Sequence, residues 1–194
     1  LDGNPINRSV VILAGTGGNG GGALVCARRL HNYGAEVRVY VTKSSEDFTP
    51  IPQHQFDILK RMGISIQPAS VIDEGVPPDL VIDGIIGYSL MGSPRTTVAN
   101  LIRWANQSSA PILALDAPSG IDTTTGTVFS PAIQATATMT LALPKAGLRA
   151  DGVAQYVGEL YLADISVPLQ LYAKPTLGLD VPTIFAESDI VRLS

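Results

Sequence analysis

The sequence predicts an α/β fold built on a doubly wound, mostly parallel sheet. Three observations lead to this prediction. Short apolar runs alternate along the chain with longer amphipathic stretches, which is the pattern of repeated βαβ units. The apolar runs are continuous, as expected for strands that helices cover on both faces. Hydrophobic residues make up 45% of the 194 residues and charged residues only 15%, a composition that suits such a buried sheet.

The elements follow from these patterns in chain order. A strand is predicted at 10–14, and a glycine-rich stretch separates it from a helix at about 23–32. A second strand at 36–41 follows, then a helix at about 52–62 and a short strand at 64–66. The later part contains strands at 80–83, 111–116, 137–141 and 160–165, with a helix at about 96–106.

The chain is interpreted as one domain over residues 1–194, because it contains no repeat, low-complexity tract or linker. The segment from Tyr172 onward is rich in proline and leucine and is expected to wrap over the surface. The chain begins at Leu1 without a charged and apolar leader, which is consistent with a trimmed fragment.

Composition argues against several classes of partner. The net charge of −4 and the pI near 5.0 disfavour broad nucleic-acid binding, which needs a basic face. No run of about 18 apolar residues is present, so no membrane span is expected. The single cysteine, Cys26, rules out an internal disulfide and suits a reducing compartment, so we expect a cytoplasmic protein. Cys26 lies on the apolar face of its helix and is expected to fill the core.

A glycine-rich stretch, residues 15–22, connects the first strand to its helix. Gly15, Gly17 and Gly20 satisfy the G-x-G-x-x-G pattern in the strand-to-helix context that dinucleotide sites require. Backbone N–H groups in such a stretch approach a phosphate, and the dipole of the helix favours the negative charge. A tight turn without a ligand is the alternative.

The end of the second strand weakens one interpretation of this stretch. NAD dehydrogenases place an acidic residue there to hold the ribose hydroxyls, whereas this chain has Val41, Thr42 and Lys43. A hydride-transfer enzyme is therefore disfavoured. Lys43 could contact a phosphate, or it could simply be solvated.

Polar side chains also follow two later strands. Asp83 ends one apolar strand, and Asp116 and Ser119 follow the next, where Pro118 and Gly120 indicate an abrupt turn. Because parallel strands of an open sheet end at one edge, these groups should meet beside the glycine-rich stretch, which adds an amide. Their oxygens suit an alkali or alkaline-earth cation. The alternative is that each aspartate caps a turn.

Other catalytic arrangements lack the necessary residues. The two histidines, His31 and His54, both precede Ser119, and the serine does not lie in a G-x-S-x-G elbow, which disfavours a hydrolase triad. No cysteine and histidine cluster has the spacing of a zinc site, and no P-loop motif is present.

The motifs together resemble a known family, the YjeF N-terminal domain, whose enzymes are NAD(P)H-hydrate epimerases. The chain is similar to the family's glycine loop, its strand ending in Asp-x-x-x-Gly, its D-x-P-S-G-x-D motif and its two later K-x-G-L and D-I-x-x-P segments. These similarities cover nearly the whole chain at residues 15–23, 83–87, 116–126, 143–148 and 164–168.

The resemblance implies a Rossmann-like three-layer α/β/α sandwich, a homodimer, and a site that binds one potassium ion and a hydrated nicotinamide dinucleotide. The potassium ligands would be Asn19, Asp83 and Ser119. The family's epimerases invert C6 of the nicotinamide ring, which bears a hydroxyl, so an acid that protonates the departing oxygen is expected. Asp116 is the candidate general acid/base and Lys145 a second one. The dinucleotide would contact Gly18, Asn19, Gly20, Gly21, Gly22, Gly87, Tyr88, Ser89, Leu90, Met91, Gly92, Ser93 and Asp116.

The chain departs from the family pattern in places that bear on activity. Gly18 and Gly22 replace an asparagine and an aspartate of the family loop, and Tyr88 replaces a smaller residue. The family's N-terminal helical segment is not present in the sequence. Two hypotheses follow: an epimerase-like repair enzyme, or a non-catalytic module of this family that binds a nucleotide or a protein partner.

Overall fold

A single eight-stranded sheet organises the part of the chain that the computed structural model describes, residues 1, 3–72 and 75–193. The strands are β1 (Ser9–Ala14), β2 (Glu36–Val41), β3 (Ser65–Pro68), β4 (Leu80–Gly84), β5 (Ile112–Leu115), β6 (Ala137–Leu141), β7 (Glu159–Ala163) and β8 (Ile190–Arg192). The α-helices are α1 (Gly18–Asn32), α2 (Pro50–Arg61), α3 (Thr96–Gln107), α4 (Ala154–Val157) and α5 (Leu169–Tyr172).

The strand order places a crevice at the centre of the sheet. The order is β3-β2-β1-β4-β5-β6-β7-β8, and every pair is parallel except β7 with β8. The chain winds outward from β1 to β3, then crosses back so that β4 pairs with the other side of β1. In open α/β sheets ligands bind at this switch point, outside the carboxyl ends of the strands.

The two faces of the sheet bury alternate residues of each strand. On β1, Val10 and Ile12 pack with residues of α1 and α2 such as Leu24. Val11 and Leu13 point to the other face and pack with residues of α3. All of these side chains are buried. The expected three-layer α/β/α sandwich with a mostly parallel sheet is confirmed.

Some element bounds differ from those predicted. Helix α1 begins at Gly18 rather than near residue 23, so most of the presumed glycine loop is helical. Poor helix propensity is overridden here because the small residues pack tightly: a Cβ at Gly21 would lie 3.1 Å from Pro52. β3 is Ser65–Pro68, and β7 ends at Ala163, two residues before the exposed Ile165.

The C-terminal segment from Tyr172 onward contains one strand in addition to irregular chain. β8 pairs antiparallel with β7 and covers the edge that β7 would otherwise expose. No helix among the described residues has both the length and the apolarity needed to cross a bilayer.

Candidate functional site

The connection between β1 and α1 forms one wall of the crevice. Only residues 15–17 lie between the two elements, and Gly17 caps the helix without a side-chain hydrogen bond. A Cβ at Gly15 would lie 1.9 Å from the carbonyl oxygen of Ile85, so this glycine permits close contact with the chain after β4. The unpaired N–H groups of the first helical turn are thereby brought to the switch point.

The glycines of this wall fall into two groups. A Cβ at Gly20 would lie 1.9 Å from the carbonyl oxygen of Gly15, so the position admits only glycine. At Gly17, Gly18 and Gly22 a Cβ would meet no atom within 4 Å. The latter glycines therefore leave open space beside the start of the helix.

Asp83 and Ser119 lie at the ends of neighbouring strands and bind each other. The Ser119 hydroxyl donates to Oδ1 of Asp83 at 2.6 Å, and its backbone N–H donates to Oδ2 at 2.7 Å. The backbone N–H of Ile85 also donates to Oδ1, and that of Ile86 donates to the Ser119 hydroxyl. Both side chains are fully buried, and burial raises the pKa of Asp83 to about 6. The pair ties the exits of β4 and β5 together.

Asp116 follows the last residue of β5 in an uncommon backbone conformation. Its φ is +65°, a left-handed conformation that aspartate tolerates better than most residues. Its N–H donates to the carbonyl oxygen of Met139 on β6. This backbone geometry directs the carboxylate across the mouth of the sheet, where it forms an ion pair with Lys145 at 2.6 Å.

Asn19, Gly87 and Asp116 meet at the mouth of the crevice. A Cβ at Gly87 would lie 3.1 Å from Cβ of Asn19, 3.4 Å from its Cγ and 3.6 Å from Oδ2 of Asp116. Gly87 thus separates the amide from the carboxylate and leaves the space between them open. Nδ2 of Asn19 is buried and has no hydrogen-bond partner among the described residues, which is unusual for a buried polar atom.

The segment after Gly87 is more exposed than the rest of the candidate site. Gly87 is buried, whereas Tyr88 and Met91 are 77% and 97% exposed. Ser89 and Ser93 are also exposed, and Leu90 and Gly92 are partly buried. Since the segment follows β4, it begins at the same edge of the sheet as Asp116.

The ammonium of Lys145 contributes more to the site than the sequence indicates. It lies on Asp116 and also contacts Thr140, a fully buried threonine on β6. The available signal was a polar residue inside an apolar strand, followed five positions later by a lysine. β6 runs parallel to β1, β4 and β5, so its carboxyl end also lies at this edge of the sheet.

Comparison with known families identifies the chain. A family described as the YjeF-related protein N-terminus matches residues 2–147, a range that contains every candidate residue from Gly18 to Lys145. The chain belongs to this YjeF-related family. β7, β8 and the C-terminal segment lie beyond the matched range.

Named relatives cover most of the chain. An NAD(P)H-hydrate epimerase of Dehalogenimonas lykanthroporepellens is 38% identical over 186 residues, 95% of this chain and 73% of the relative. A bifunctional NAD(P)H-hydrate repair enzyme, Nnr, of Moorella thermoacetica is 37% identical over 182 residues, which are 89% of this chain and 34% of that enzyme. The crystal structure of yeast ynu0 superposes with a TM-score of 0.78 at 23% identity, covering 98% of this chain and 79% of that one, and supports the fold.

In this YjeF-related site the atoms that could bind a metal ion are mainly oxygens. The described residues contain no cluster of three or more histidine, cysteine, aspartate and glutamate side chains able to hold a metal ion. The crevice instead combines one ion-paired carboxylate, one carboxylate bound to a serine, one amide, and the N–H groups of a helix N-terminus.

Proposed function

We propose that this chain is an NAD(P)H-hydrate epimerase, which interconverts the R and S forms of hydrated NAD(P)H. The observation that carries the proposal is the position of Asp116: its Oδ2 faces the space beside Gly87, next to the N-terminus of α1. Four relatives that bear this name match 82–95% of the chain at 33–38% identity, and the family match includes all of the candidate residues.

The dinucleotide would lie along the mouth of the crevice. Its phosphates would contact the start of α1, residues 18–22, and accept hydrogen bonds from the N–H groups that precede Gly21, whose own N–H donates to Gly17. The nicotinamide ring would occupy the space beside Gly87, bounded by Asn19 and Asp116 and covered by residues 88–93. Asp116 would then move the proton at the C6 hydroxyl as the general acid/base.

A potassium ion fits the residues at the buried side of this space. Asp83 and Ser119 supply hard oxygens at the exits of adjacent strands, and the side chain of Asn19 lies beside Gly87, four residues after Asp83. The unpartnered Nδ2 of Asn19 supports the assignment, since rotating the amide by half a turn would exchange this unused donor for Oδ1, an acceptor that could serve a cation. When bound, the ion would supply a fixed positive charge beside the anionic dinucleotide.

An assay of stereochemistry tests the enzyme proposal. The purified chain is incubated with the R form of hydrated NADPH in potassium buffer, and the S form is followed by chromatography. We expect conversion faster than the spontaneous reaction, and a loss on the order of 100-fold or more in Asp116→Asn, because the general acid/base is removed. Asp180→Asn, an exposed aspartate in the C-terminal segment, is the control and should retain full activity.

A second candidate function is a binding module without catalysis. It is favoured by Gly18 and Gly22, where this chain lacks two side chains and has only open space. Hydrated NADPH that binds in calorimetry but epimerises at the spontaneous rate would support the module and contradict the enzyme. Restoring the family side chains with Gly18→Asn and Gly22→Asp should raise the rate of an enzyme and leave a module inactive.

The same proposal covers the oligomeric state, the location and the partners of the protein. We propose one domain acting as a homodimer in the cytoplasm on a small dinucleotide, without nucleic-acid or membrane partners. The net charge of −4 disfavours a nucleic-acid partner, and the single cysteine suits the cytoplasm. Light scattering coupled to gel filtration measures the subunit number, and a monomeric mass would contradict the dimer.

A further inference from the structure

The ammonium group of Lys145 has all of its hydrogens engaged by protein atoms. Its Nζ lies 2.6 Å from Oδ1 of Asp116, 2.9 Å from the hydroxyl of Thr140 and 3.1 Å from the carbonyl oxygen of Leu141. A lysine ammonium has three N–H donors and no acceptor, so these contacts account for its full capacity. Lys145 therefore has no donor left for a substrate.

The two oxygens of Asp116 have different surroundings. Oδ1 accepts from Lys145 and, at 3.3 Å, from the backbone N–H of Leu141. Oδ2 has no donor among the described residues and lies 3.6 Å from the Cβ position of Gly87. The carboxylate is thus fixed by one oxygen and presents the other to the open space.

We propose that Lys145 is a positioning residue, which fixes the orientation of the Asp116 side chain so that Oδ2 is directed at the substrate. This inference rests on the proposed epimerase function. Lys145 acts through Asp116 and does not itself exchange protons with the dinucleotide. A purely stabilising role is a weaker explanation, because a mostly buried ion pair gains little stability over an apolar pair, and Asp116 keeps a strained backbone at this position.

The ion pair also sets the order of proton transfer. Asp116 begins as a carboxylate, so Oδ2 first accepts the proton of the C6 hydroxyl, rather than protonating a departing oxygen. The O–H electron pair forms a C6=O bond, and the C6–N1 bond breaks with its electrons going to N1. N1 then takes the proton from Oδ2. Rotation about the C5–C6 bond and the reverse sequence close the ring with the opposite configuration and restore the carboxylate.

A double-mutant cycle tests whether Lys145 acts through Asp116. The variants are Lys145→Met, Asp116→Asn and both together, and kcat and KM for the R form of hydrated NADPH are measured for each. We expect Lys145→Met to lower kcat about 10- to 100-fold with KM within about twofold, as for other residues that orient a reacting group. The double variant should be no slower than Asp116→Asn alone.

Two further variants control for charge and folding. Lys174→Met removes an exposed lysine of the C-terminal segment and should leave kcat unchanged. Thr140→Val removes one acceptor of Lys145 and keeps the ammonium, so we expect a smaller loss of kcat at constant KM. This variant keeps the inference testable if Lys145→Met does not fold, as judged by circular dichroism.

Three results would overturn the inference. If the losses of the two single variants multiply in the double variant, Lys145 acts independently of Asp116. If Lys145→Met or Thr140→Val raises KM and leaves kcat intact, the lysine binds the substrate. Wild-type protein that does not epimerise would overturn the proposed function and this inference with it, whereas the first two results leave the proposed function standing.

Discussion

Ser119 connects two strand exits through its side chain and its backbone. It donates two hydrogen bonds to Asp83, at 2.6 and 2.7 Å, and its hydroxyl accepts the N–H of Ile86. The sequence predicts Ser119 as a ligand rather than a nucleophile, but it does not predict this pairing. The reason is that the pair joins residues 36 positions apart, and their contact depends on how β4 and β5 align.

Replacing Ser119 with alanine should destabilise the protein. The change removes one donor from a buried carboxylate and one acceptor from the chain after β4, so we expect a loss of about 1–3 kcal/mol in the free energy of unfolding. Urea denaturation measures this loss. Ser70→Ala, at an exposed position after β3, is the matched control and should stay within about 0.5 kcal/mol of wild type. Equal stabilities of the two variants would contradict the structural role of Ser119.

Helix α1 shows how packing decides the bounds of an element. Four of its first five residues are glycine, and local propensity therefore predicted a loop up to residue 22. Gly20 is nevertheless helical, and the position admits only glycine because a Cβ would lie 1.9 Å from the carbonyl oxygen of Gly15. The sequence predicted that β1 is followed by a phosphate-binding type of turn and a helix, but not that the helix begins five residues earlier.

Two glycines of α1, separated by one residue, should respond to alanine in opposite ways. Gly20→Ala should destabilise the protein strongly, because its Cβ would lie 1.9 Å from the Gly15 carbonyl oxygen and the backbone would have to shift. Gly22→Ala meets no atom within 4 Å and should stabilise the helix by about 0.5–1 kcal/mol. Thermal unfolding of both variants measures the difference. A stabilised Gly20→Ala would show that the β1–α1 connection is not packed as described.

At the scale of the whole molecule, the doubly wound topology creates the crevice. β1 and β4 lie side by side although α1, β2, α2 and β3 separate them in the chain, and the start of α1 packs against Gly84 at the end of β4. The prediction of alternating strands and helices was sufficient for this arrangement, since right-handed crossovers leave few alternatives. The additional edge strand β8 was not predicted, because a three-residue strand among prolines has no strong periodicity.

The rate at which a reagent labels the only cysteine, Cys26, measures how readily the structure opens. Cys26 packs against the buried cluster between α1 and the sheet, and burial raises the pKa of its thiol to about 11. At pH 8 only about 0.1% of such a thiol is ionised, against roughly a quarter in an unfolded chain. We expect a thiol reagent to label the native protein on the order of 100-fold more slowly than the protein in concentrated guanidinium chloride.

Absorbance of the released thiolate measures this labelling, and Cys26→Ser supplies the background rate. Comparable labelling rates in the native and denatured states would show that the α1 face of the sheet is open to solvent. That result would contradict both the packing of α1 and the expectation that Cys26 fills the core.

The sequence by itself determined the fold class, the family, and the residue types at three strand exits. Apolar runs, glycines and acids at strand ends are local signals, and the ends of parallel strands must share an edge of the sheet. The tertiary structure decided which partners these residues have. It paired Asp83 with Ser119 and Asp116 with Lys145, because hydrogen-bond partners depend on the alignment of distant segments to within an ångström, which no local pattern encodes.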